Sequence, residues 1–165
     1  MTESDLANLG REELVALILK QLLDTLALES FPKTSGGKGF HVLVPLDRRS
    51  TYDDSRAFAE VVAGAIVRAH PKLATTEWSK ARRRGVLIDA NQNGEGKTIA
   101  SAYSVRPHLG APVSTPLRWD EVNERLDPST YTMDAVRERV RVHGDLFAGA
   151  LTTRQSLSKA LRSLA

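Results

Sequence analysis

Residues 33 to 41, Lys-Thr-Ser-Gly-Gly-Lys-Gly-Phe-His, constrain this chain more than any other stretch. Three glycines within four positions lead at once into the apolar run Val42-Leu43-Val44. A glycine-rich turn ahead of such a run predicts a strand over 40–46, ended by Pro45 and Asp47, with Lys38 and His41 at its mouth. Two readings of the turn are open. Backbone N–H groups freed by Gly36, Gly37 and Gly39 can face an anion, as in nest-like phosphate sites. Alternatively the glycines serve only an ordinary hairpin or strand-entry turn. The segment is not a P-loop, which needs Gly-Lys followed by Ser or Thr, because Gly39 follows Lys38.

The pattern around this turn is α+β, without repeats. Leu14, Ile18, Leu22 and Leu26 recur every four residues and predict a helix over 11–28, with Glu12 and Glu13 in its first turn. A second helix is expected over 53–70, opened by Asp53 or Asp54 and closed before Pro71. Val86-Leu87-Ile88 reads as a short buried strand and Thr98 to Val105 as another. Pro107, Pro112 and Pro116 mark an extended connection. Shorter helices are expected near 119–125, 133–142 and 153–164, the last two opened by Thr132 and by Thr152 or Thr153. The domain organisation expected is a variable start over 1–10, a core over 11–150 and a C-terminal helix over 151–165.

Composition excludes several classes. At 165 residues one domain is expected, able to bury roughly 68–70% of its unfolded surface. Charged residues at 26% against 41% hydrophobic describe a globular chain rather than a disordered one. With no cysteine there is no disulfide, thiolate nucleophile or cysteine zinc site, which suits a reducing cytoplasm. Lys20, Gln21 and Asp24 interrupt the apolar face of 14–28, so no membrane span is expected there, and the first ten residues lack signal-peptide character. The balance of 23 basic to 20 acidic residues permits a polyanionic partner without demanding one. The histidines at 41, 70, 108 and 143 share no zinc-ligand spacing.

A second chemistry-bearing stretch is Gly85-Val86-Leu87-Ile88-Asp89-Ala90-Asn91-Gln92-Asn93. An acidic residue just past three apolar positions, with small and amide residues after it, is placed to bind a divalent cation or simply to cap a turn. Lys97 and Arg106 put two cations on one strand region, each able to meet phosphate, or they line a solvated edge. Arg82-Arg83-Arg84 tracks a nucleic-acid backbone or forms a solvated turn. Trp78 and Trp119 stack bases or pack. Arg137, Glu138, Arg139 and Arg141 read as a charged solvent face. Residues 152 to 165, with Leu157, Leu161 and Leu164 at helical spacing, pack on the sheet or meet a partner.

Taken in order, these segments resemble a known family. Phe31-Pro32-Lys33-Thr34-Ser35-Gly36-Gly37-Lys38-Gly39-Phe40-His41-Val42 resembles the second motif of the polymerase domain of bacterial DNA ligase D, the end-joining branch of the archaeo-eukaryotic primase superfamily. Thr75-Thr76-Glu77-Trp78, Lys80 to Arg84 and Leu87 to Asn93 resemble its third motif and approach. Lys97-Thr98-Ile99-Ala100, Tyr103-Ser104-Val105-Arg106 and Ala111 to Val122 continue the match, which runs from about residue 11 to residue 149. The resemblance implies a mixed or antiparallel sheet of RNA-recognition-like, primase-polymerase type flanked by helices. It further implies nucleotidyl transfer from NTP or dNTP to a 3′ end at broken DNA with Mn²⁺ or Mg²⁺, in a bacterial cytoplasm at the nucleoid. By the same resemblance Ser35, Gly37, Lys38 and His41 hold the triphosphate, and Gln92 and Arg106 lie near the phosphates. Asp89 holds a metal and, with His41, serves catalysis.

The chain also departs from the family. Members carry an N-terminal half that binds the 5′-phosphate and template, then an Asp-hydrophobic-Asp motif ahead of the helix matching 11–28. Here the nearest text is Asp5-Leu6-Ala7. Asp5 is either a remnant of that first metal motif or part of an unrelated start, and Ala7 stands where the second carboxylate belongs. The expectation is a polymerase fold that is weak or inactive alone. It would work with a separate chain supplying the missing half, a ligase or an end-binding protein, or serve as a non-catalytic nucleotide- or DNA-end-binding module.

Overall fold

The computed structural model describes residues 9–37 and 39–164. Asp5, Ala7 and Lys38 lie outside the described residues. Helix α1, Arg11–Thr25, buries Val15, Ala16 and Leu23. It stops short of the expected residue 28 because Ala27 turns left-handed at φ 54°. Leu28 N–H then reaches back to Leu23 O and Ala27 N–H to Asp24 O, closing the helix end with two hydrogen bonds. The turn drops Leu26 and Leu28 into the core.

Strands β1, Phe31–Thr34, and β2, Phe40–Leu43, pair antiparallel, with Lys33 opposite His41 and Thr34 opposite Phe40. Strand β2 is shorter than the predicted 40–46, and β1 has no counterpart in the predicted pattern. Helix α2, Tyr52–Ala69, is capped by Thr51 rather than by Asp53 or Asp54. Thr51 accepts from Asp54 N–H, and the Asp54 carboxylate accepts from Thr51 N–H, a reciprocal capping box. Phe58, Val62, Ala63 and Ile66 form its buried stripe. Strands β3, Ala74–Thr75, and β4, Val86–Leu87, pair parallel. The β4 residues are half-buried rather than buried. The fold is thus α+β with one antiparallel and one parallel strand pair among the described residues.

The expected strand over 98–105 is absent; only Val105 bridges Val113. Tyr103 at φ 64° breaks any ladder, and the Ala100 carbonyl is turned onto Lys33. Near 119–125 a single 3-10 turn, Trp119–Glu121, replaces the expected helix. Helix α3, Met133–His143, opens on Thr132 as predicted. Its face is not wholly solvated, because Arg139 turns inward onto Glu121 at 2.7 and 2.5 Å.

The helix expected over 153–164 is shortened to α5, Leu157–Leu164, and a separate short helix, α4 Ala148–Thr152, precedes it. Thr153 ends α4 instead of opening a helix. The break belongs to Gln155, whose side chain joins Glu29 N–H, Glu29 O and Pro45 O, while its carbonyl accepts from Asp47 N–H. Leu157 and Ala160 of α5 then enter the same core as Val15, Leu23, Phe58, Val62 and Ile66. A smaller cluster joins Ala16, Leu117 and Val122 to Phe40, Trp119 and Tyr131. No helix among the described residues is long and apolar enough to cross a membrane.

If α5 is part of the core, Leu157→Ala lowers the unfolding free energy by about 2–5 kcal/mol. Urea titration followed by far-UV circular dichroism reads this directly, and a change within error of zero would make α5 an appendage.

Candidate functional site

The site is built on β1. Lys33 is 1% exposed, a rare burial for an ammonium, which is costly to desolvate unless its donors are met. All three are met. Nζ lies 2.8 Å from His41 Nδ1 across the hairpin, and donates to Ala100 O at 2.8 Å and to Ser114 Oγ at 2.6 Å. Ser114 Oγ in turn donates to Thr34 O at 2.7 Å. The fully buried segment 112–117 runs beside β1 to supply this contact, held by Thr34 N–H to Thr115 O and Leu117 N–H to Pro32 O.

Burial and then the nearby Arg106 charge lower the Lys33 pKa to about 8. Burial, Lys33 and Arg106 together lower that of His41 to about 4, so its imidazole is neutral at pH 7. Arg106 completes the cationic cluster. Its stem passes over Gly36, whose φ is +73°; a Cβ there would fall 2.2 Å from Arg106 Cγ, so only glycine allows the crossing. Arg106 Nε is buried without a hydrogen-bond partner among the described residues. An unmatched guanidinium donor beside a buried ammonium suits an anionic group.

Ser35 and Gly37 join this cluster but not as expected. Ser35 Oγ accepts from Gly37 N–H and Gly39 N–H, both at 3.2 Å, and Ser35 N–H donates to Gly39 O at 2.8 Å. The Gly37 and Gly39 amides are therefore turned inward onto the serine rather than free as an open nest. An anion reaching them would have to displace the Ser35 hydroxyl.

Asp89 and Gln92 form a separate group. Asp89 caps the 3-10 turn Ala90–Asn93, accepting from Asn91 N–H at 3.1 Å and from Gln92 Nε2 at 3.2 Å. The turn packs on α2, where Arg56 donates to Asn91 Oδ1 at 3.4 Å. A depression of about 520 Å³ beside it is lined by Arg56, Trp78, Asn91, Gln92 and Lys97. Trp78 is 60% exposed there, whereas Trp119 is half-buried and donates from Nε1 to Ser30 O. Arg82 pairs with Glu77, and Arg83 donates to the Glu77 and Trp78 carbonyls, so much of the basic run is engaged within its own turn. Among the described residues, no hydrogen bond or ion pair joins the Asp89 turn to the Lys33–His41 cluster. Nor do three or more acidic or histidine side chains gather as a metal site among them. Mg²⁺ commonly takes one or two carboxylates together with substrate phosphates and water, and Asp89, which accepts two hydrogen bonds here, is one carboxylate that could contribute.

The residue that sequence reasoning missed is Lys33, with its partners Ala100 and Ser114. A signal existed. Once Ser35 and Gly39 close the turn on each other, pairing counts back to Thr34 opposite Phe40 and Lys33 opposite His41.

Comparison with known proteins sets the class first. The structure matches the polymerase domain of Mycobacterium tuberculosis ligase D solved in complex with DNA, at TM-score 0.80 and 30% identity, over 89% of this chain and 52% of that one. In sequence, it is 39% identical over 128 residues to the bifunctional non-homologous end joining protein LigD of Bacillus subtilis, covering 76% of this chain and 21% of that protein. It is 35% identical over 144 residues to the multifunctional LigD of Pseudomonas aeruginosa, covering 86% and 17% respectively. The family model for the LigD primase-polymerase domain matches residues 7–147, and the chain belongs to that family. It spans about a fifth of the length of these relatives and about half of the solved domain.

The depressed histidine pKa gives a pH dependence. Between the ordinary value of 6.5 and about 4, an unfolded chain takes up a proton at residue 41 that the native state refuses. Stability contributed by neutral His41 is thus whole above pH 6.5 and is lost as the pH falls through that window. Lys33 stays protonated in both states there. Urea midpoints measured from pH 7 to pH 4 should fall more steeply for the native sequence than for His41→Asn; parallel curves would show that His41 titrates normally.

Proposed function

We propose that this chain holds an NTP or dNTP by its triphosphate, for nucleotidyl transfer to a 3′ end during the joining of broken DNA. The observation that carries the reading is the convergence of buried Lys33, neutral His41 and Arg106 with its unmatched Nε beside the Ser35–Gly39 turn. Positive groups fixed before the ligand arrives stabilise phosphate charge without reorganising. Family membership favours this ligand over other anions, and the DNA complex of the related M. tuberculosis domain favours a DNA-end substrate. Ser35, Gly37, Lys38, His41 and Arg106 would hold the phosphates, with Gln92 and the Trp78 depression toward the rest of the nucleotide.

Mn²⁺ or Mg²⁺ would supply polarisation of the α-phosphate in this chemistry. Asp89, and Asp5 if it joins, would bring too few carboxylates for a paired-metal site, so residues 1–165 alone are proposed to bind nucleotide without extending a primer. Polymerisation would then need further carboxylates and DNA contacts, from a partner chain, a ligase or an end-binding protein, at the bacterial nucleoid. That Asp89 serves as a turn cap, with no group of three acidic or histidine side chains among the described residues, also favours a second reading, a non-catalytic nucleotide- or DNA-end-binding module.

Titrating a fluorescent NTP should give saturable binding that His41→Ala weakens roughly 10- to 100-fold, the range for one hydrogen bond to a charged group. Absence of binding at millimolar ligand would sink the proposal. In primer extension with Mn²⁺ the chain alone should add no nucleotides; robust templated addition would refute the inactivity while leaving the pocket intact.

A further inference from the structure

The strand register that sets Lys33 opposite His41 leaves the imidazole little choice of tautomer. An ammonium has three donors and no acceptor. Ala100 O can only accept, and Ser114 Oγ has committed its hydrogen to Thr34 O, so it too accepts from Lys33. The third ammonium hydrogen is directed at His41 Nδ1, 2.8 Å away, which must therefore present a lone pair. A neutral imidazole with Nδ1 unprotonated carries its hydrogen on Nε2. Among the described residues Nε2 makes no hydrogen bond.

We propose that Lys33 is a positioning residue that fixes His41 as the Nε2–H tautomer, so that the ring meets a phosphate oxygen as a hydrogen-bond donor. The functional meaning rests on the reading of His41 as a phosphate contact, but the tautomer exists without ligand and is measured without it. The device explains why a lysine is buried where it makes no ion pair with any of the described residues. A phosphate oxygen accepts only, and the opposite tautomer would set a lone pair against it. Among the described residues, the charged groups acting on the pair are its own two members and Arg106.

The same geometry dictates how the pair responds when Lys33 loses its proton, near pH 8. Ala100 O and Ser114 Oγ still claim two N–H groups, and the amine lone pair is left facing Nδ1. Nδ1 must then carry the hydrogen, and the tautomer inverts.

The test is nitrogen-15 NMR of the histidine side chains in the full chain without nucleotide, with His41 assigned by its loss in His41→Asn. At pH 7 the native protein should show His41 neutral, with Nδ1 bare and Nε2 protonated. At pH 10 the two nitrogens should exchange their signatures. Lys33→Met should leave a mixture of tautomers and move the His41 titration back toward 6.5. Nδ1–H or a charged ring at pH 7, or an unchanged Nε2–H tautomer at pH 10 or in Lys33→Met, would overturn the proposal. The two native-protein measurements stand even if Lys33→Met does not fold. A correct tautomer with no NTP binding would sink the phosphate reading and leave this one standing.

Discussion

Burying one ammonium imposes order on the whole centre of this molecule. Lys33 can lose its water only if three acceptors replace it, and those acceptors come from residues 41, 100 and 114. Each lies on a different stretch: β2, the loop before Tyr103, and the buried segment 112–117. One side chain therefore ties the hairpin to two stretches that are otherwise irregular. Irregular backbone there is consistent with the physics, because a loop carbonyl can be aimed where a strand carbonyl is bound to its ladder.

The electrostatic consequence is a site with unspent positive charge. Among the described residues no carboxylate bonds Lys33, and Arg106 keeps a buried donor without a partner, while burial and then these two charges keep His41 neutral. Elsewhere in the fold cations are answered: Arg139 by Glu121, Arg49 by Asp47, Arg141 by Glu138. Among the described residues no acid pairs with this cluster, a charge balance that suits an anionic ligand. Under the function proposed above, that anion is a nucleotide phosphate.

Asp89 shows where local logic and tertiary placement part. Its position after β4 was readable, as was its ability to cap a turn, and it caps one. Whether it also reaches a metal depends on which other oxygens converge on it, which no local pattern decides. The C-terminal stretch went the other way. Leu157 was legible as an apolar helical position, but nothing local said that Gln155 would break the helix ahead of it and dock α5 into the main core.

By itself the sequence determined the family, the two long amphipathic helices, the glycine turn into β2, and the candidacy of Ser35, His41 and Arg106 as site residues. These are local or motif-level properties, set by apolar spacing, glycine freedom and residue type. Only the tertiary structure decided that the Gly37 and Gly39 amides turn onto Ser35, that residues 98–105 abandon a strand, and that Lys33 lies buried against His41. Those outcomes depend on which groups remain to satisfy a buried donor once the chain has folded, and acceptors 67 and 81 residues away leave no trace in local pattern.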